Sequence, residues 1–285
     1  MLRLERRPEA SLVMSYASPL IAVLLMLIGG LLLFTFLGKN PIEGFTVFFI
    51  NPISDLYGLS ELLLKATPLM LVAIGLAVGF RANVWNIGAE GQLIVGAVCA
   101  SAVALYFYGS EGGAHVLILM VIAGAIGGML WAAIPALLKT VFNTNEILVS
   151  LMLVYVAQLL VSWLVHGPMM DPDGFNFPQS RLFEDSALLP ILMEGTRLNI
   201  AFMFALGALL VGYIFMFRSF AGFQMQVAGY AKDAARYAGF SAKRMIWIGL
   251  MSGGAMAGIA GMSEVAGPMG QITDHVSNHY GFAAI

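Results

Sequence analysis

Charge is scarce in this chain. Only 11% of its 285 residues are Asp, Glu, Lys or Arg, while 60% are hydrophobic, and the mean hydropathy is +0.87. A water-soluble domain carries about a quarter charged residues to cover its surface, so this composition excludes one and indicates an integral membrane protein. Cysteine is almost absent. Cys99 stands alone in an apolar run and offers neither a disulfide nor a metal cluster. His115, His166, His275 and His279 lack zinc-ligand spacing; His275 and His279, four apart, can share a helix face but read as loop residues. The chain lacks G-x-x-x-x-G-K-[ST], H-E-x-x-H and G-x-S-x-G. It therefore has no P-loop for ATP and no recognisable hydrolase or metalloprotease constellation. No span is studded with arginines like a voltage sensor. No catalytic residue, metal site or nucleic-acid partner is expected.

What fills the chain is long apolar runs. Seven stand out, at about 17–37, 62–80, 91–108, 114–138, 146–165, 197–217 and 245–265. Most approach the roughly 20 residues that cross a hydrocarbon core as a helix. None alternates like a barrel strand, and backbone in lipid must satisfy itself, so helices are predicted. The fold class is all-α: one polytopic transmembrane helix bundle spanning 1–285, with a broken helix near residues 81–92. The first run follows Arg3, Arg6 and Arg7 and is too long for a signal-peptide core, so it is read as a retained span. Glycine-rich stretches such as GAIGG at 124–128 and GGAMAGIAG at 253–261 signal close helix packing.

Basic residues set the orientation. With the N-terminus in the cytoplasm, Arg3, Arg6, Arg7, Arg81, Lys139, Arg218, Lys232, Arg236, Lys243 and Arg244 fall inside. Only Lys39, Lys65, Arg181 and Arg197 fall outside. The outer loop at about 166–196 mixes Pro, Asp and Gly with Phe, Leu and Met, which predicts an ordered lid or a short amphipathic helix. The final residues, HYGFAAI, read as the start of another apolar run, so the chain is expected to continue.

Two seams interrupt the apolar pattern. At 83–92 the sequence reads NVWNIGAEGQ. A charged side chain at mid-membrane costs about 2.5–3.5 kcal/mol on insertion scales, so Glu90 should face a protein interior or a watery cavity. Gly88 and Gly91 can break the helix there. Asn83, Asn86, Glu90 and Gln92 then form part of a translocation path or its inner gate. Alternatively the amides cap two helix ends and Arg81 pairs with Glu90. Trp85 either stacks on a passing base or sugar or anchors the interface. Tyr155 and Gln158, deeper in the fifth run, are further candidates for the path. Asn145 and Glu146 either cap that run or contact a partner. Glu264, at the outer end of the seventh run, reads as an ordinary interfacial carboxylate.

The second seam is the inner loop, about 218–244. Between Gly229 and Gly239 it reads YAKDAARYA, rich in helix-favouring alanine. Gly239 suits a helix C-terminus, and Ser241 can cap the next helix. Two turns of helix are unstable alone in water, so the segment either docks on something or is a solvated basic turn.

VAGYAKDAARYAGFSAKRMI resembles the cytoplasmic coupling-helix region of permease subunits of bacterial ABC importers, in the branched-chain amino acid, ribose and nucleoside permease family. NVWNIGAEGQLIVGA and NTNEILVSLMLVYVA, at 143–157, are similar to the same family in the same order, and closest to its nucleoside or simple-sugar branch. One departure is that Ala231 and Lys232 stand where Asn followed by Pro or a similar residue is expected. The resemblance implies a short cytoplasmic coupling helix, with Lys232, Asp233, Ala234, Ala235, Arg236 and Gly239 meeting a separate ABC ATPase that binds ATP and Mg. It also implies a second permease subunit, an extracytoplasmic substrate-binding protein and a multi-pass place in the bacterial cytoplasmic membrane. The expected activity is import of a nucleoside or simple sugar. The competing expectation is an ion- or proton-coupled secondary transporter using Glu90.

Overall fold

A computed structural model describes residues 11–110 and 112–285. The basic cluster Arg3, Arg6 and Arg7 used for orientation lies outside the described residues. The chain divides into two compact units, one ending at Leu59 and the other starting at Ser60. In the first unit, helix α1 (Leu12–Phe36) is followed by short α2 (Pro41–Phe45), a π turn at Thr46–Ile50 and α3 (Asn51–Ser54). Ser11 caps α1, and Asn40 caps α2 by accepting from the Ile42 N–H at 3.1 Å. The short helices lie where the sequence shows no run long enough to count as a span.

Helix α4 (Leu56–Arg81) leads into the larger unit. There α5 (Ala89–Tyr106), α6 (Ala114–Phe142), α7 (Glu146–Val165) and α8 (Ala201–Arg218) follow. Then come α9 (Phe220–Tyr230), α10 (Lys232–Tyr237), α11 (Ala242–Glu264) and α12 (Tyr280–Ala283). Among the described residues seven helices are long and apolar enough to cross a membrane, and each contains or overlaps one of the seven predicted runs. Leu130, Leu159, Trp163 and Leu210 are exposed on these helices, as lipid-facing side chains require.

The core of this unit is a crossing of α5, α6 and α11 made by glycine. A Cβ on Gly128 would collide with the Gly254 carbonyl, and one on Gly258 with the Gly124 carbonyl. Gly96 of α5 meets the Gly258 backbone equally closely. Without a hydrophobic driving force between helices in lipid, this close backbone approach supplies the van der Waals contact that holds them. Leu71, Leu93, Met120, Met262 and Ile272 fill the space around the crossing.

Charged and capping groups gather at the two ends of the unit. At one end Lys139 pairs with Glu146 at 2.7 Å, and Arg81 donates to the Gly222 carbonyl and the Gln226 amide oxygen. At the other, Arg197 forms a two-pronged pair with Glu61, and the Gly109 N–H donates to Glu184. Asn145 caps α7 through the Ile147 N–H, and Ser241 caps α11 through the Arg244 N–H, both as expected.

Two regions differ from the sequence reading. The outer loop is ordered, but it contains a single 3₁₀ turn (Asp185–Ala187) in place of an amphipathic helix. Its order comes from backbone pairing with the stretch after α11. Ser180 N–H donates to Ile272 O, Phe183 N–H to Gly270 O and Leu189 N–H to Ala266 O, at 2.8–2.9 Å. The second region is that stretch itself. Helix α11 runs into a π turn at Val265–Met269 containing Pro268, and Gly270 (φ +64°) reverses the chain. Residues 271–279 are irregular and thread back into the bundle, with Ile272 and Val276 buried, before α12 opens beside α5 on a buried Tyr280. Irregular backbone at this depth is tolerated only where protein or a watery cavity surrounds it. Correspondingly, His275 and His279 do not share a helix face.

Candidate functional site

The NVWNIGAEGQ seam falls between helices as predicted, α4 ending at Arg81 and α5 opening at Ala89. Its polar side chains divide into three groups. Asn83 turns the chain in the left-handed region (φ +54°), a conformation Asn tolerates. It accepts from the Trp85 indole at 3.3 Å, and Trp85 packs on Phe80 while staying half exposed. Asn83 lines a cavity of about 590 Å³ at the Arg81 end, together with Gln226 and Tyr230. Asn86 and Gln92 face each other instead. Each amide donates to the other's oxygen, at 2.8 and 3.0 Å, and Asn86 also takes the Gly88 N–H. Both are buried, and this closed pair fixes the entry into α5.

Glu90 takes a third direction. It is 1% exposed, and one carboxylate oxygen accepts the Gly281 N–H at 2.7 Å. The other lies 3.9 Å from His279 Nδ1. Arg81 does not pair with Glu90. Its guanidinium is held by Gly222 and Gln226 and stacks on Phe217 at 4.8 Å, because α9, which brings those partners, lies within reach.

Glu90 forms part of the wall of a second cavity, about 380 Å³, between α5, α7 and the re-entrant stretch. Gln158 and Ser162 of α7 line it, with Asp274 and Ser277 opposite. Glu90 and Gln158, both singled out in the sequence, thus meet in one space. Tyr155 does not join them: it is 57% exposed on the outer surface of α7. The contribution of 274–279 is invisible in the sequence, since a short polar stretch after a span reads as a loop. Glu264, read as interfacial, is 3% exposed, with Lys65 Nζ at 3.9 Å, and Lys65 also lies 5.6 Å from the centre of the Tyr280 ring. The re-entrant stretch is therefore held near two buried carboxylates. Among the described residues no cluster of His, Cys, Asp and Glu could hold a metal ion.

The inner segment between Gly229 and Gly239 folds as the short helix α10, ending at Gly239 (φ +78°). Lys232, Asp233, Ala234 and Arg236 are exposed, as is Tyr237. Ala235 is completely buried against a cluster that includes Val78, Met225 and Met245. It seats the helix and presents no surface. Residues 220–230, part of the stretch the sequence predicts as loop, form α9, eleven residues capped by Ser219.

Residues 58–285 match the family described as branched-chain amino acid transport system, permease component. The chain is 35% identical to a glucose ABC transporter permease protein of Haloferax volcanii, an alignment that covers 100% of this chain and 77% of that protein. It is 30% identical to a guanosine ABC transporter permease protein of Bacillus subtilis, covering 87% and 71% respectively. A nucleoside ABC transporter permease protein of Lactococcus lactis is 29% identical, with 86% and 69% covered. No solved structure matches. With seven membrane-length helices and a family match over most of its length, the chain is a multi-pass membrane protein of the branched-chain amino acid transport system permease family.

Proposed function

We propose that this chain is the membrane-spanning subunit of an ATP-driven importer that carries a nucleoside or simple sugar into the cytoplasm. The observation that carries the reading is the similarity, along nearly the whole chain, to ABC permeases named for glucose, guanosine and nucleosides. The chain lacks a P-loop, so ATP and Mg belong to a separate ATPase. The exposed face of α10, with Lys232, Asp233, Ala234, Arg236 and Tyr237, is its docking surface. A second permease subunit completes the path, and an extracytoplasmic binding protein delivers solute to the outer loop. The chain sits in the cytoplasmic membrane of a bacterium with its N-terminus inside, the orientation that places seven basic residues of the larger unit (Arg81, Lys139, Arg218, Lys232, Arg236, Lys243, Arg244) on the inner side. Glu90 and Gln158 border the path, while Asn83 and Trp85 line its inner approach. ATP-driven closure of the ATPase moves α10 and shifts the bundle between outward and inward access.

Affinity purification from the native host tests this directly. The expected result is co-purification of an ABC ATPase, reduced at least tenfold by Tyr237→Asp. Uptake of glucose or guanosine should follow ATP and survive collapse of the proton gradient. Uptake that follows the proton gradient with no ATPase recovered would instead establish the secondary-transporter reading.

A further inference from the structure

The cavity beneath the re-entrant stretch has a chemical character of its own. Gln158 and Ser162 are four residues apart on α7 and so lie on one helix face. Neither side chain donates to or accepts from another described residue, and both border the cavity. Asp274, across the space, has only His275 near it, at 3.8 Å. Gln158, Ser162 and Asp274 are half-buried, so water or a solute in the cavity can reach their polar atoms. Lys and Arg are absent from the lining, which carries two carboxylates, Glu90 and Asp274. No Phe, Tyr or Trp lines it, and its only rings among the described residues are the imidazoles of His275 and His279.

We propose that this cavity is the solute-selective site, and that it recognises the hydroxyl groups of a neutral, polyhydroxylated solute: the sugar ring, or the ribose of a nucleoside. The proposal rests on the importer reading above. A hydroxyl donates to the Asp274 carboxylate, and the Gln158 amide and Ser162 hydroxyl both donate and accept, which matches the dual character of sugar hydroxyls. A phosphate meets the carboxylates of Asp274 and Glu90 with no lysine or arginine in the lining, the nearest basic side chain to Asp274 being His275 at 3.8 Å. The site therefore selects against sugar phosphates and nucleotides, whose charge is a net negative one. The volume of about 380 Å³ lies within the roughly 300–1,000 Å³ range of small-molecule sites.

The test is ATP-dependent uptake by the full complex in proteoliposomes, with glucose, guanosine and glucose 6-phosphate as probes. Glucose or guanosine should be carried, and glucose 6-phosphate should neither be carried nor compete. Gln158→Leu and Asp274→Asn should each raise KM for the carried solute about tenfold, the loss expected of one or two hydrogen bonds. Ser162→Ala should raise it less. Maximal rate, membrane abundance and ATPase recovery should stay within twofold. Wild-type uptake of glucose or guanosine with KM unchanged in all three variants overturns this site assignment alone. Carriage of glucose 6-phosphate overturns the selectivity. No ATP-dependent uptake of any probe by the wild type, with no ATPase recovered, overturns the importer reading and this proposal with it.

Discussion

Glu90 fixes a backbone amide 191 positions further along the chain. A carboxylate surrounded by apolar residues announces itself in any reading of the sequence. Its partner does not, because Gly281 contributes only an N–H, which every residue except proline possesses. Arg81 failed to reveal its partners for a related reason: Gln226 and Gly222 belong to a helix whose composition reads as loop. Removing the acceptor at position 90 leaves the Gly281 N–H buried without a partner, a cost of about 1–3 kcal/mol. Glu90→Ala should therefore lower the melting temperature in detergent by several degrees, whereas Glu90→Gln keeps an acceptor oxygen and should lower it less. Equal melting temperatures for the wild type and both variants would remove Glu90 as an anchor of the re-entrant stretch.

Length and apolarity made the seven long helices legible, because lipid leaves a 20-residue apolar run no other conformation. The shorter elements escaped. Helix α9 is stabilised by what it lies against, burying Met225 and Ala228 while its glycines lower its own propensity. Helix α10 was legible as a helix, yet its faces were not, since six residues carry too little pattern to orient it. Ala235 and Tyr237 now separate two effects. Ala235→Glu forces a carboxylate into the buried cluster and should expose the inner segment to protease, with reduced protein in the membrane. Tyr237→Asp acts on a side chain that is 97% exposed and should leave protease resistance unchanged. Comparable protease sensitivity in the two variants would refute this division of roles.

At the scale of the molecule, orientation is open to direct measurement. The chain has one cysteine, so Cys99→Ala gives a clean background for labelling. Phe175, at the tip of the outer loop, and Tyr237, on α10, are 93% and 97% exposed. In intact cells a membrane-impermeant maleimide should label Phe175→Cys and spare Tyr237→Cys until the membrane is opened. The reverse pattern would invert the topology and put the proposed ATPase-docking face of α10 on the wrong side.

Where α5, α6 and α11 cross, main chain rests on main chain with no side chain between. Side-chain contacts can be exchanged one rotamer at a time; contacts between backbones cannot, and one helix cannot ratchet past another without lifting clear of it. The three helices are confined to travelling as one block. Alternating access then has few moving parts left to use. The part best suited is the 270–281 stretch: it is tied by backbone hydrogen bonds to the outer loop, it ends on Glu90, and between these two attachments it forms a wall of the cavity. A pull on the outer loop would reach that wall of the cavity without bending a single transmembrane helix.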